Sequence, residues 1–250
     1  GGLIKKTDLH EYVRINKNGK YALRFKHEGD ALVNVRSATN EHDIVMISTT
    51  GYASRFNCLA IRASGRVSGG VYGIKVGDRK GGGGGSVAGM VAMLDAEEQI
   101  LTISKYGMAK RSRLGTADRI PETDAAGNIK LDEDGLQKMA TDGYRSTRPG
   151  AKGVRTMKLD DENDDQIISV RTIPDLEDHL FLLTKKGMMI RILVNQTKET
   201  KGKSSRGTRV MEFRNKSKGG FTDELIFSSR IPASLLDMGS EESDEGSEEE

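Results

Sequence analysis

An all-β, propeller-like array of about four four-stranded blades is predicted by three observations. These are a fourfold internal repeat, strand-length runs that alternate or are wholly apolar, and a composition rich in glycine and poor in proline. The repeats open at Gly2-Leu3-Ile4-Lys5-Lys6, Gly51-Tyr52-Ala53-Ser54-Arg55, Gly107-Met108-Ala109-Lys110-Arg111 and Gly187-Met188-Met189-Ile190-Arg191, spaced 49, 56 and 80 residues apart. Self-similarity at such a period marks a blade-like or solenoid architecture, so whatever one loop does its copies repeat around the molecule. Thirty glycines and four prolines among 250 residues fit many tight turns. With 35% apolar residues and no Trp, the chain suits small sheets that share thin apolar layers.

The elements follow in order within each repeat. After the opening comes a basic, glycine-containing loop and a second run: Gly19–Phe25, Gly70–Val76, Gly153–Leu159 and Gly207–Phe213. A third run follows at Ala31–Val35, Val87–Leu94, Gln166–Ile173 and Glu224–Ile231. A fourth, after an acidic turn, is Ile44–Ser48, Ile100–Ser104 and Leu180–Thr184, and the next opening begins. Four strands per repeat is the blade count. This places one domain over residues 1–236, with repeats near 1–43, 44–99, 100–179 and 180–232. No fourth run precedes Gly2, so the first repeat is expected to lack that strand and the chain to be a fragment of the array.

Two insertions break the period. Gly81–Gly85 reads as a flexible hairpin tip. Residues 115–142 add a helix or a hairpin; the helix would be Leu131–Ala140, capped by Asp132 or Asp134. Met46, Met90, Met93, Met157, Met188 and Met189 are expected to fill the space between blades.

The net charge of +2 hides an asymmetry. Residues 237–250 hold eight of the 37 acids and no base, which leaves 39 bases against 29 acids, or +10, over residues 1–236. A basic body with an acidic, low-complexity and disordered tail suggests a polyanion-binding surface and a segment that competes for it. Cys58 stands alone, so no internal disulfide forms, in keeping with a reducing cytoplasm. No run approaches the roughly 18 apolar residues of a membrane span, and no signal-peptide core is present. His10, His27, His42 and His179 have no metal spacing. Asp160–Asp165 lacks the glycine of a calcium loop, and Gly202-Lys203-Ser204 lacks the upstream glycine of a phosphate loop.

The chemistry concentrates in the loops. They carry Arg14, Lys17 and Lys20; Arg62 and Arg66; Arg145, Arg148 and Lys152; and Lys198, Lys201, Lys203 and Arg206, with Arg155 in the run after the third loop. Small residues let backbone N–H groups approach a phosphate while Arg and Lys supply charge. Four such loops at equivalent positions would form a continuous positive rim for duplex DNA, which carries roughly one negative charge per 1.7 Å of axis. No recognition-helix pattern or zinc spacing is present and aromatics are only 5%, which points to backbone contacts without strong sequence preference. A propeller that binds an acidic or hydrophobic protein partner is the rival reading.

Three features together resemble the C-terminal DNA-wrapping domain of the A subunit of bacterial DNA gyrase. They are the four loop-and-strand units, the opening Gly-Leu-Ile-Lys-Lys-Thr-x-Leu-x-Glu-Tyr at residues 2–12, and the acidic tail. The stretch Gly70-Val71-Tyr72-Gly73-Ile74-Lys75-Val76, then Gly77-Asp78 and Val87-Ala88-Gly89-Met90, is similar to the family pattern Gly-Val-Arg-Gly-Ile-Arg/Lys-Leu, Gly-Asp, Val-x-Gly-Met; Tyr72 departs from Arg. The family's wrapping motif is Gln-Arg-Arg-Gly-Gly-Lys-Gly, and the nearest stretch here is Thr147-Arg148-Pro149-Gly150-Ala151-Lys152-Gly153. Arg148, Gly150, Lys152 and Gly153 match, so this is a degenerate copy in an internal blade.

The resemblance implies a β-pinwheel, whose blades exchange strands with their neighbours, and duplex wrapping that gives a positive crossover before strand passage. It implies a cytoplasmic, nucleoid-associated heterotetramer in which the gyrase B subunit joins the rest of the gyrase A chain. Cleavage, ATP and Mg2+ would belong to other parts of that enzyme, with no catalytic residue here. The related domain of the topoisomerase IV C subunit, which steers substrate choice and has degenerate boxes, is a second family consistent with the residues.

Overall fold

The computed structural model describes residues 1–76, 85–124, 126–200, 205–213 and 220–236. Its strands are β1 (Leu3–Ile4), β2 (Asp43–Ser48), β3 (Tyr52–Asn57), β4 (Val71–Tyr72), β5 (Val87–Met93), β6 (Gln99–Ser104), β7 (Met108–Arg113), β8 (Arg119–Pro121), β9 (Met139–Thr141), β10 (Val154–Arg155), β11 (Ile167–Ile173), β12 (His179–Thr184), β13 (Met189–Leu193), β14 (Thr208–Arg209) and β15 (Leu225–Ile231). All pairings among them are antiparallel.

The blades are built on three hairpins, β2–β3, β6–β7 and β12–β13, made the same way. The sequence signature is Ser or Thr followed three residues later by Gly. The glycine N–H returns to the carbonyl of Ser48, Ser104 or Thr184 at 3.0 to 3.2 Å. The hydroxyl of the same residue accepts from the N–H of Tyr52, Met108 or Met188. A side-chain oxygen that caps its own turn fixes the hairpin register.

A long inner strand then pairs with the first strand of each hairpin: β5 with β2, β11 with β6, and β15 with β12. The second strand of the hairpin takes its partner from the following repeat. Thus β4 pairs with β1, β10 with β3 and β14 with β7. The sheet orders are β1-β4, β10-β3-β2-β5, β11-β6-β7-β14 and β13-β12-β15, with β8-β9 as a separate ribbon. Two blades therefore have four strands, one has three and one has two among the described residues. The exchanged strands are only two residues long, so the runs after Gly70, Gly153 and Gly207 leave the sheet sooner than their alternation suggests.

Burial explains why the fourth runs are apolar throughout. Ile44 and Met46 pack with Phe56, Ile61 and Ile74 on one face of β2, whereas Val45 and Ile47 pack with Val91, Ile100, Met157 and Ile167 on the other. Likewise Ile100 faces one interblade layer and Leu101 and Ile103 the next, with Leu180, Leu182, Phe213 and Leu225. A strand buried on both faces has no polar side to alternate with. Among the described residues β12 packs into one interblade layer, and Leu180 and Leu182 are buried there while Phe181 and Leu183 are half-buried.

Three expectations are corrected. The runs Gly19–Phe25 and Ala31–Val35 are irregular in the structure, with Tyr21, Phe25, Leu32 and Val35 exposed. In the later repeats the second runs supply β4, β10 and β14 and the third runs β5, β11 and β15, whereas residues 19–25 and 31–35 form no strand. Leu131–Ala140 is not helical. The insertion is a β8–β9 stem carrying two small hairpins, bridged at Thr123↔Ile129 and Leu131↔Gln137. Asp132 does cap, but it caps a turn, its carboxylate accepting from the N–H groups of Asp134 and Leu136. Met188 and Met189 are exposed rather than interblade filling, because no strand among the described residues covers the outer edge of β13.

Candidate nucleic-acid interface

The loops after the second, third and fourth openings dock on the preceding repeat in one shared register. Parallel bridges join Ala63 to Lys6, Ser146 to Arg55 and Glu199 to Arg111. The next residue's N–H then bonds the same carbonyl: Ser64 to Lys6 at 2.9 Å, Thr147 to Arg55 at 2.7 Å and Thr200 to Arg111 at 2.9 Å. After a turn each chain returns as β4, β10 or β14 beside the start of that same strand. The three turns are thereby held at equivalent edges of successive blades.

This register places the predicted cations in matching rows. Arg62, Arg145 and Lys198 each stand immediately before the bridging residue, and all three are exposed. Arg66, Arg148 with Lys152, and Arg206 lie in the turns. Arg148, Lys152, Arg155 and Arg206 are exposed, whereas Arg66 is half-buried with its Nε 3.5 Å from Glu11. Gly150 and Gly153 of the degenerate box are half-buried, and Gly150 N–H donates to the carbonyl of Gly73 at 3.0 Å. Arg14, Lys17 and Lys20 are exposed, and among the described residues their loop makes no bridge of this kind. Lys201, Lys203, residues 81–84 of the glycine run and the tail 237–250 lie outside the described residues.

Not every base of the repeats faces outward. Arg55 is buried: its Nε donates to Asp43 at 2.7 Å, and its Nη1 to the carbonyls of Leu114, Gly115 and Tyr144 at 2.8 to 3.0 Å. Arg111, its counterpart one repeat on, is also buried, but Nε and Nη1 have no partner. Gln99 stands where Asp43 stands in the previous blade, with its own Oε1 unpartnered.

Lys110 is buried beneath a cavity of about 610 Å³ between β7 and the insertion, with its Nζ 2.5 Å from the carbonyl of Thr156. Burial pulls its pKa down to about 8. Below pH 8 the amine is charged in both states, and folding carries the whole desolvation cost. Between pH 8 and its ordinary 10.5 the unfolded chain binds more protons than the folded one, so stability rises with pH. Lys110→Met is therefore expected to stabilise the protein at pH 7, by up to about 3 kcal/mol, and the gain should shrink as pH rises from 8 to 10. Urea midpoints of both proteins across that range measure it.

Sequence reasoning missed Tyr52. Its ring carries Lys152 Nζ at 4.7 Å and the Arg155 guanidinium at 5.5 Å from the centroid, and Arg155 Nη2 donates to its hydroxyl at 3.3 Å. The signal was present: Tyr52 is the aromatic among the opening residues Leu3, Tyr52, Met108 and Met188. Among the described residues no group of three or more His, Cys, Asp or Glu could hold a metal ion, and no helix is long and apolar enough to cross a membrane.

Sheets completed by a strand from the next repeat, with interblade cores and loops in one register, define a β-pinwheel, a strand-exchanged variant of the propeller. The chain belongs to the DNA gyrase C-terminal domain, beta-propeller family, whose model matches residues 1–39, 42–81, 138–174 and 178–219. The unmatched stretch between the second and third segments includes the 115–137 part of the insertion. The DNA gyrase A protein of Staphylococcus epidermidis is 29% identical over 212 residues, 84% of this chain and 20% of the relative. The chain thus spans about a fifth of the length of the curated relatives it matches. The C-terminal domain of a DNA topoisomerase IV superposes with a TM-score of 0.70 at 17% identity, covering 97% of this chain and 64% of that one. A DNA gyrase A C-terminal domain gives 0.64 at 18%, covering 92% and 63%. At these identities the superpositions speak for the fold alone.

Proposed function

We propose that this chain binds duplex DNA through its phosphates along the edge where the loops dock, and bends it there, as the accessory wrapping domain of a type IIA topoisomerase. The observation that carries the reading is the shared register of the loops at Ala63, Ser146 and Glu199, which sets exposed arginines and lysines at the same place on successive blades. A row of cations on a curved array favours a curved polyanion, and the cost of bending is offset by the added phosphate contacts. The loops present Arg and Lys on small-residue turns, which suits backbone contacts rather than base readout. Membership of the gyrase family supports gyrase as the enzyme served, its partners being the gyrase B subunit together with the rest of the gyrase A chain. Strand cleavage and the ATP and Mg2+ chemistry are assigned to those other parts.

Binding is expected to be independent of sequence and steeply dependent on salt. With about six phosphates neutralised, the slope of log K against log salt is about −5, and affinity falls about 10³-fold from 50 to 200 mM salt. Fluorescence anisotropy on two unrelated duplexes measures both. Ligation of nicked circular plasmid with bound protein then separates bending around the edge, which shifts the linking number, from simple attachment, which leaves it unchanged. Salt-insensitive binding would reject the proposal.

A further inference from the structure

The turn at 147–153 differs from its counterparts in how its cations are held. Tyr52 on β3 lies directly across from Arg155 on β10. The same ring supports Lys152 from within the turn, so two exposed like charges are gathered around one aromatic ring. Neither cation forms an ion pair with a carboxylate among the described residues; Asp161 acts on Arg155 and Tyr52 only at longer range. In the next blade the equivalent pair is Met108 opposite Arg209, and Arg209 is bound to Glu212. In the first it is Leu3 opposite Tyr72. Only here, among the described residues, does the exchange strand bring two unneutralised cations over a ring.

Two adjacent positive charges repel, and an exposed cation–π contact returns about 0.5–1 kcal/mol for each. An anion that bridges the two cations would relieve that repulsion. A phosphodiester suits it: the guanidinium offers a planar fork of donors, and the ammonium adds a point charge.

We propose that Tyr52 is the positioning residue of a phosphodiester site whose contacts are Lys152 and Arg155. The ring holds both cations in place before DNA arrives, so the backbone of the duplex meets a preformed site. This rests on the DNA-binding reading above, and deepens it.

The test compares Tyr52→Phe and Tyr52→Met. Met occupies the same place in the next repeat at Met108, so the strand accommodates it; equal melting temperatures of the two variants confirm this. In the free protein the ring shields the Lys152 side chain, and its ε-CH2 proton resonances are expected upfield in the wild type and Tyr52→Phe but not in Tyr52→Met. On a 40-base-pair duplex of mixed sequence, Tyr52→Met is expected to bind about 5- to 10-fold more weakly, with a salt slope shallower by about 1. Tyr52→Phe should stay within about twofold. On a Lys152→Gln/Arg155→Gln background, Tyr52→Met should have no further effect.

Wild-type affinity and slope in Tyr52→Met, or the same loss in the double-glutamine background, would overturn the assignment. A wild-type protein that fails to bind the duplex at all would overturn the DNA reading and this site with it. That outcome is distinguishable, because the upfield Lys152 resonances report the ring contact without any ligand.

Discussion

Arg55→Met is expected to destabilise the protein by about 3 kcal/mol or more, whereas Arg111→Met, the same change one blade on, is expected to be neutral or stabilising. Arg55 satisfies Asp43 and the carbonyls of Leu114, Gly115 and Tyr144, which come from the next repeat. Removing it leaves a carboxylate and three carbonyls short of a donor inside an interblade contact. Breaking a buried ionic network by deleting one partner typically costs about 3–5 kcal/mol. Arg111 is equally buried, but two of its N–H groups already lack a partner and its charge is desolvated. Replacing an ill-satisfied buried ion by an apolar side chain of similar length is often neutral or favourable. For a domain of this size the Arg55 change lowers the melting temperature by about 6–12 °C. Equal losses in the two variants would mean that the carbonyl cage around Arg55 contributes little.

The second large effect is expected at Gly153. This residue has φ +79°, and a Cβ placed on it would stand 2.1 Å from the carbonyl oxygen of Ala53 and 3.0 Å from the amide nitrogen of Ser54. Those atoms are backbone, so no side chain can swing aside. The close approach exists because β10 must come alongside β3 immediately after the box turn. Gly153→Ala is expected to cost about 3 kcal/mol or more, to speed hydrogen exchange in β3 and to weaken duplex binding by displacing Lys152. Gly19 opens the corresponding run in the first repeat with φ +74° and has nothing within 4 Å of a Cβ. There only the left-handed backbone is penalised, about 1 kcal/mol. The difference between the two alanine variants isolates the close approach from the backbone preference.

These contrasts show what the sequence reveals of the fold and the site. The hairpins at 44–57, 100–113 and 180–193 were legible because each couples an apolar strand, a Ser/Thr cap and a glycine at fixed spacing. All of that information is local. The order of strands within a blade is not legible from spacing, since Tyr52 pairs with a residue 103 positions later; strand exchange entered through the family resemblance. The insertion was misread at Leu131–Ala140 because Asp132 serves equally as a helix cap and a turn cap, and only the pairing of Leu131 with Gln137 decides between them. In the loops, the cations were legible as charge, but their common register comes from backbone bonds to Lys6, Arg55 and Arg111 that no side chain encodes. Tyr52 was overlooked because its role depends on Lys152 and Arg155, which reach it across the exchanged strand.

The late arrival of β10 and β14 has a consequence for how the protein is made. During synthesis the β2–β3 hairpin leaves the ribosome about 100 residues before the strand that completes its sheet. At roughly 5–20 residues per second it waits at least several seconds with an unpaired edge. Pairing across such a distance also closes a long loop, which slows folding relative to local contacts. Each blade therefore matures only when its successor has been translated, and the array assembles as a relay from the amino-terminal end. A ribosome stalled between repeats would hold out a nascent sheet whose open margin is the segment most exposed to mispairing with another chain.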